Sequence, residues 1–252
     1  MNTVHRSAVL EGHVEIGSNN VIGPGVTIRG PVIMGDGNYI GPGASVGWFS
    51  RERLEGSHRL ADPLPSEESA VVIGSNTMLF DKAVIFKPMF KETRIEDNVE
   101  VGAHVIVGHD CIIHESAILS PHVALGAYVT VGSRANLGIA SAVHNRLTIG
   151  GLAMCGMASA IVGHVPPGAL VYGNPARIHG VNSVGLARAG FPEGEIETVL
   201  ASLRGHPVKP GNGIRELIEQ YRADVQKWPT SKKEVRWGTL KSSSSPESDP
   251  SM

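Results

Sequence analysis

The chain has 252 residues, enough for one large domain or one and a half ordinary ones. With 31 glycines and only 5% aromatic residues it is dense in turns, and its net charge of -2 argues against a general nucleic-acid binder. Two cysteines exclude a disulfide framework.

The N-terminal stretch MNTVHRSAVLEGHVEIG has no apolar signal core, and no run is long enough to cross a bilayer, so the expected location is the cytoplasm, without membrane insertion. Aliphatic residues recur at every sixth position: Val4, Leu10, Ile16, Ile22, Ile28, Met34, Ile40 and Val46. The pattern then stops. Residues 47–72 are charged and carry two prolines, and they read as a loop thrown out from one corner of a regular scaffold, with Trp48 and Phe49 packing on its outer wall. The period resumes at Ile73, Leu79 and Ile85, and FKPMFKETR adds four residues before Ile95. From Val101 the register runs unbroken through Val107, Ile113, Leu119, Leu125, Val131, Leu137, Val143, Ile149, Cys155 and Ile161.

A fixed six-residue period predicts a parallel β-helix, an all-β solenoid in which three hexads make a coil of about 18 residues. The first residue of each hexad points inward and stacks on its counterpart one coil away. The second place is mostly glycine and the fifth is small or aliphatic. The glycines are expected where the corner needs positive φ or close backbone approach. A glycine-rich sandwich would show irregular turn spacing instead. Cys111 and Cys155 fall on inward places and read as small buried hydrophobes.

The stretch HVPPGALVYGNPARIHGVN ends the coils. A helix is predicted behind Pro192, Glu193 and Glu195, with Ile196, Val199, Leu200 and Leu203 at helical spacing. A second runs from about Ile214 to Trp228, with Leu217, Ile218, Tyr221 and Val225 on one face. Such helices are expected to cap the open end of the solenoid. The organisation read from sequence is therefore a β-helix over 1–182 with an external loop at 47–72, a helical region over 183–230 and a flexible, low-complexity tail over 231–252.

The sharpest chemical feature is His109 followed by Asp110. His109 stands in the third place of its hexad, facing outward at a corner. A histidine poised by a carboxylate can serve as a general base. In a chain with 11 histidines, an outward histidine is also an ordinary corner residue. His104, His114, His122 and His144 are further candidates, and His114 and His144 stand in the second place, where glycine is usual. The His104/His109 and His109/His114 pairs, five apart, invite a zinc reading, but a catalytic zinc takes three protein ligands and no third is evident, so no metal site is expected.

Several motifs resemble the UDP-N-acetylglucosamine O-acyltransferases of lipid A biosynthesis, a family of left-handed β-helix hexapeptide-repeat acyltransferases. They are Ala103-His104, His109-Asp110-Cys111, Ala142-Val143-His144, the exit Gly173-Asn174-Pro175-Ala176, and then Gly180-Val181-Asn182, Gly185-Leu186, Arg188 and Gly190-Phe191. The likeness runs from about Val14 to about Ile218. It implies a homotrimer with sites in clefts between adjacent β-helices, no bound cofactor, and an acyl carrier protein whose phosphopantetheine thioester donates the acyl group to a nucleotide sugar. By the same resemblance His109 is the general base, Asp110 orients it, and the Ala127 backbone N–H stabilises the oxyanion. His104, His144 and Asn145 match the acceptor side, Tyr128 stands where the family has a substrate-contacting histidine, and Asn182 and Arg188 match residues near the donor and nucleotide.

The departures fall mostly on the acceptor and nucleotide side: Tyr128, Ile106, Asn145, Val184 and Ala189 replace family residues. They imply the same reaction on a different or looser acceptor, either a hydroxyl or an amine. Met157 stands where the family uses a glycine to admit a long acyl chain, which implies a shorter one. Three other readings stand beside this one: an acetyl-CoA-dependent sugar acetyltransferase, a γ-carbonic-anhydrase-like metal β-helix, and a catalytically silent scaffold. A donor on coenzyme A in place of the carrier protein remains open at this point.

Overall fold

A computed structural model describes residues 1–49, 69–228 and 230–236. Most of the expected 47–72 loop and of the 231–252 tail lies outside the described residues. The coils form a three-faced prism. Among the described residues the faces are sheets of 10, 8 and 7 strands, parallel except for the last pair of the first, and successive strands visit the three faces in turn until that pair. Glu100 pairs with Ile118 and Ile106 with Ala124, so one coil takes 18 residues. Across the four-residue insertion the step widens, and Val84 pairs with Ile106.

The pattern has a simple cause. Most strands of the coils are two or three residues long, and from Ile22 to Ile161 nearly every one includes a first-place side chain that faces inward and is buried. Fifth-place residues such as Val105, Cys111, Ala117, Val123 and Val129 also face inward and are fully buried. Both places therefore feed one continuous core from Ile22 to Ile178. Each fully buried Val, Leu or Ile adds about 1.5–3 kcal/mol of burial free energy.

The corners differ from the sequence expectation. Positive φ falls chiefly on the fourth place rather than on the second-place glycines: Gly25, Gly37 and Gly43 take it there in the first coils, and Asn98, His104, Asp110, Ser116, His122, Tyr128, Arg134, Ala140, Arg146, Leu152 and Ala158 all lie between φ 53 and 63. The second-place glycines serve close approach. A Cβ on Gly102 would lie 2.6 Å from the backbone nitrogen of Pro121 in the next coil.

The end of the prism also differs. It is closed by an antiparallel hairpin, Ala169–Gly173 with Ala176–Val181, and by Val235, which returns to pair beside His164. Three helices follow the hairpin: α1 (Ser183–Arg188), α2 (Glu193–Leu203) and α3 (Asn212–Lys227). Helix α2 leans on the hairpin and reaches the core through Leu203. Helix α3 does not cap. It runs along the third face, packing by Ile214, Leu217 and Ile218 in a side cluster with Leu152, Leu186 and Val199. Gly151 makes room for it: a Cβ there would lie 2.7 Å from Leu217 Cδ2.

Candidate active site

The corner between the second and third faces brings several of the candidate residues together. Corners stack directly, since the Tyr128 N–H donates to the His109 carbonyl at 3.0 Å and the Arg146 N–H to the Ala127 carbonyl at 2.9 Å. His109, Ala127 and Asn145 thus form one vertical row, and Asp110, Tyr128 and Arg146 the row beside it. Neighbouring coils are about 4.8 Å apart, as strands in a sheet are. The four-residue insertion leaves from this corner, between Phe86 and Thr93, and so does the chain on either side of residues 50–68, between Trp48 and Val71.

His109 stands at a corner, the place its position in the hexad predicts, yet it is only 3% exposed. Its Nδ1 lies 2.8 Å from Asp110 Oδ2, and the Tyr128 ring meets it edge-on with centroids 4.9 Å apart. Asp110 has a second task. Its carboxylate accepts the backbone N–H groups of Met89, Phe90 and Lys91 at 2.8, 3.0 and 3.1 Å, which fixes the insertion over the histidine. Lys87 holds the start of the same insertion, donating from Nζ to the Gly30 carbonyl at 2.7 Å. Burial pushes the Asp110 carboxyl up, but the bonds from His109 and the three amides outweigh it and hold the group below the usual carboxylate range. An ionised Asp110 keeps the proton on His109 Nδ1 and the lone pair on Nε2. The Ala127 N–H makes no hydrogen bond among the described residues.

His144 and Asn145 lie exposed on the coil above Ala127, at the same corner. Arg146, which the sequence reading passed over, stands with its guanidinium 4.4 Å from the Tyr128 ring centroid. Phe90 and Trp228 were also passed over. Their rings lie 6.1 and 4.8 Å from Tyr128. The register gave Arg146, since it is 18 residues beyond Tyr128. Trp228 follows Tyr221 and Val225 at helical spacing, which was the available signal.

The remaining candidates lie elsewhere on the chain. His104 stacks on His122 at the corner between the first and second faces, centroids 5.0 Å apart and rings nearly parallel. Met157 is on that corner too, 70% exposed. Asn182 and Arg188 line a groove of about 580 Å³ against the first face, with Arg134 and Met154. Asn182 caps helix α1, accepting from the Gly185 N–H at 3.0 Å and donating to the Leu152 carbonyl at 2.8 Å. His114 is on the third face, bridging Glu96 and Asp224. His104, His109 and His114 therefore diverge onto separate sides of the prism, and the five-residue spacing that invited zinc does not bring them together.

Comparison with known proteins agrees with this architecture. Residues 13–47 match the bacterial transferase hexapeptide family, and residues 165–234 match UDP N-acetylglucosamine O-acyltransferase, domain 2. A curated acyl-carrier-protein–UDP-N-acetylglucosamine O-acyltransferase of Burkholderia vietnamiensis is 32% identical over 142 residues, 55% of this chain and 54% of that protein. The chain thus spans about half the length of that relative and of others like it. The enzyme of the same name from Aliivibrio salmonicida is 27% identical over 238 residues, 90% of each chain. Among solved structures, the UDP-N-acetylglucosamine acyltransferase from Campylobacter jejuni superimposes with a TM-score of 0.70 at 23% identity, covering 94% of this chain and 98% of that one. No helix among the described residues is long and apolar enough to cross a membrane. In its parallel β-helix of hexapeptide repeats and in its C-terminal region, residues 165–234, the chain is similar to UDP-N-acetylglucosamine O-acyltransferases.

Proposed function

We propose that this protein acts in the cytoplasm and transfers an acyl group from a phosphopantetheine thioester, carried by an acyl carrier protein, to a hydroxyl or amine of a nucleotide sugar. The observation that carries this reading is the His109–Asp110 contact at 2.8 Å with the Ala127 amide one coil away. In the reaction His109 Nε2 takes the proton of the acceptor as its oxygen or nitrogen attacks the thioester carbonyl. The Ala127 N–H donates to the developing oxyanion. Collapse of the tetrahedral adduct breaks the carbon–sulfur bond, and the imidazolium returns the proton to the departing thiolate. No redox partner is needed.

The proposed acceptor and donor residues occupy three edges of one prism. His109, Tyr128, His144 and Asn145 are on one corner, His104 and Met157 on another, and Asn182 and Arg188 line a groove against the first face. One substrate cannot touch all of them within one chain. A threefold assembly, in which the corner of one prism faces its neighbour, supplies the missing contacts. In that arrangement Met157 limits the acyl chain from the neighbouring copy. The test is a screen of donors against acceptors: acyl carrier protein and coenzyme A thioesters of increasing chain length, each with several UDP-sugars. Transfer from the carrier protein to a UDP-amino-sugar is expected. Transfer from acetyl-coenzyme A alone would replace the reading with a sugar acetyltransferase.

A further inference from the structure

Helix α3 ends at the His109 corner. Its side chain Asp224 is held against the prism by His114, and one turn later Trp228 ends the helix, its backbone already non-helical at φ -125 and ψ 89. The Trp228 ring lies 4.8 Å from Tyr128 at an interplanar angle of 58°, and Tyr128 in turn lies edge-on to His109. Phe90, on the insertion fixed by Asp110, completes the aromatic group and is 65% exposed. Three distant stretches of chain thus bring aromatic rings to the flank of one histidine.

The indole nitrogen of Trp228 is one of three buried side-chain polar atoms without a hydrogen-bond partner among the described residues, with the Thr130 and Ser141 hydroxyls. A buried tryptophan N–H normally has a partner, and a donor left without one is costly. Packing alone accounts for the ring and leaves the donor unexplained. Beside a reactive histidine, an orphan donor is matched by an acceptor atom that arrives with the substrate.

We propose that Trp228 is a specificity-determining residue for the acyl acceptor: its ring shifts as the sugar enters, the freed N–H donates to an oxygen of that sugar, and the Trp228 and Tyr128 rings cover the sugar's apolar face. This rests on the reading of His109 as the base. The donor carbonyl has the Ala127 amide as its partner. The acceptor, whose nucleophile must reach His109, is the substrate that passes the aromatic wall. A site with such a donor discriminates against sugars lacking an oxygen at that point.

The experiment compares Trp228→Phe, which keeps a ring and removes the donor, with Trp228→Ala and with wild type. Acceptor and donor are varied separately, and thermal melting is followed in parallel. Trp228→Phe is expected to raise the acceptor KM about 5- to 10-fold, the effect of one lost hydrogen bond, with kcat, donor KM and melting unchanged. Trp228→Ala is expected to raise it further. An unchanged acceptor KM in Trp228→Phe, or equal rises in both KM values with a lowered melting point, overturns the proposal. His109→Ala is assayed alongside. If it is inactive while Trp228→Phe behaves as wild type, the acceptor contact fails alone. If it keeps full activity while Trp228→Phe shifts the acceptor KM, the base assignment fails and the contact stands. A wild-type protein that transfers no acyl group to any sugar refutes both.

Discussion

His114 Nε2 and Asp224 Oδ2 lie 3.2 Å apart across 110 residues of chain, and this contact pins helix α3 to the third face. On its other side the same ring meets Glu96 Oε2 at 3.2 Å. Burial lowers the His114 pKa, but the bonds to Asp224 and Glu96 outweigh it and raise it to about 9. The Glu96 carboxyl is held low, chiefly by the His114 bond. Lys227, 3.8 Å from Asp224, and Gln220 also face the clamp, and Arg94 and the Glu115 N–H face Glu96. Because the folded pKa is raised, the stabilisation is complete below the ordinary histidine value near 6.5 and is lost as pH rises through about 9. Melting temperature is expected to fall over that interval in wild type and to stay flatter in His114→Gln. Parallel curves for the two proteins would remove the clamp from the account.

Asp110 serves the histidine and the insertion together, so its removal should cost both activity and stability. Asp110→Ala leaves three insertion amides without their acceptor. Hydrogen bonds to charged groups contribute about 1.5–3 kcal/mol each, so a loss of roughly 3 kcal/mol or more is expected in denaturant unfolding. The carboxyl is held low in the fold, so its stabilisation is present above pH 3.8 and fades as pH falls below it. Asp110→Ala should therefore lose part of the acid limb of the stability profile. Wild-type stability in that variant would mean that the insertion is held by other contacts.

The glycines at the second place can be tested without touching the site. Gly102→Ala sets a Cβ against backbone atoms that cannot swing aside, and overpacking of this kind costs about 1–3 kcal/mol. Gly180→Ala meets nothing within 4 Å and serves as the control. Equal melting temperatures for the two variants would refute the close-approach explanation.

Met157 and Arg188 test the assembly. Met157→Gly is expected to extend the accepted acyl chain in a donor series, and an unchanged preference would remove Met157 from the groove. His109→Ala and Arg188→Ala, each inactive alone, should recover part of the activity when unfolded together and refolded into mixed oligomers. Mixtures as inactive as their parents would place both residues in one chain's site.

The solenoid was legible because first and fifth places both face inward, so the first is aliphatic or cysteine throughout and the fifth is mostly small or aliphatic, with Asn20, Asn38, Thr77, Ser141 and Ser159 as polar exceptions. The conformation of the corners was not. Glycine at the second place invites a positive-φ reading, whereas the left-handed turn is taken by Asp110, Tyr128, Arg146 and even Leu152 at the fourth. The contact between His109 and Asp110 was readable from their adjacency at one corner. The grouping of the histidines was readable in principle, since residues five apart in a six-residue period fall on different places. The path of α3 was hidden in Gly151, which looks like any other glycine of the repeat until Leu217 is seen against it. With that path went Trp228, placed beside Tyr128 by a contact no local pattern encodes.

Single-turnover acyl transfer by His109→Ala, with folding verified by thermal melting, addresses the central claim most directly. Loss of a positioned general base slows the chemical step by about 100- to 10,000-fold. A loss in that range, with the melting curve unchanged, is the predicted result; transfer at the wild-type rate contradicts it.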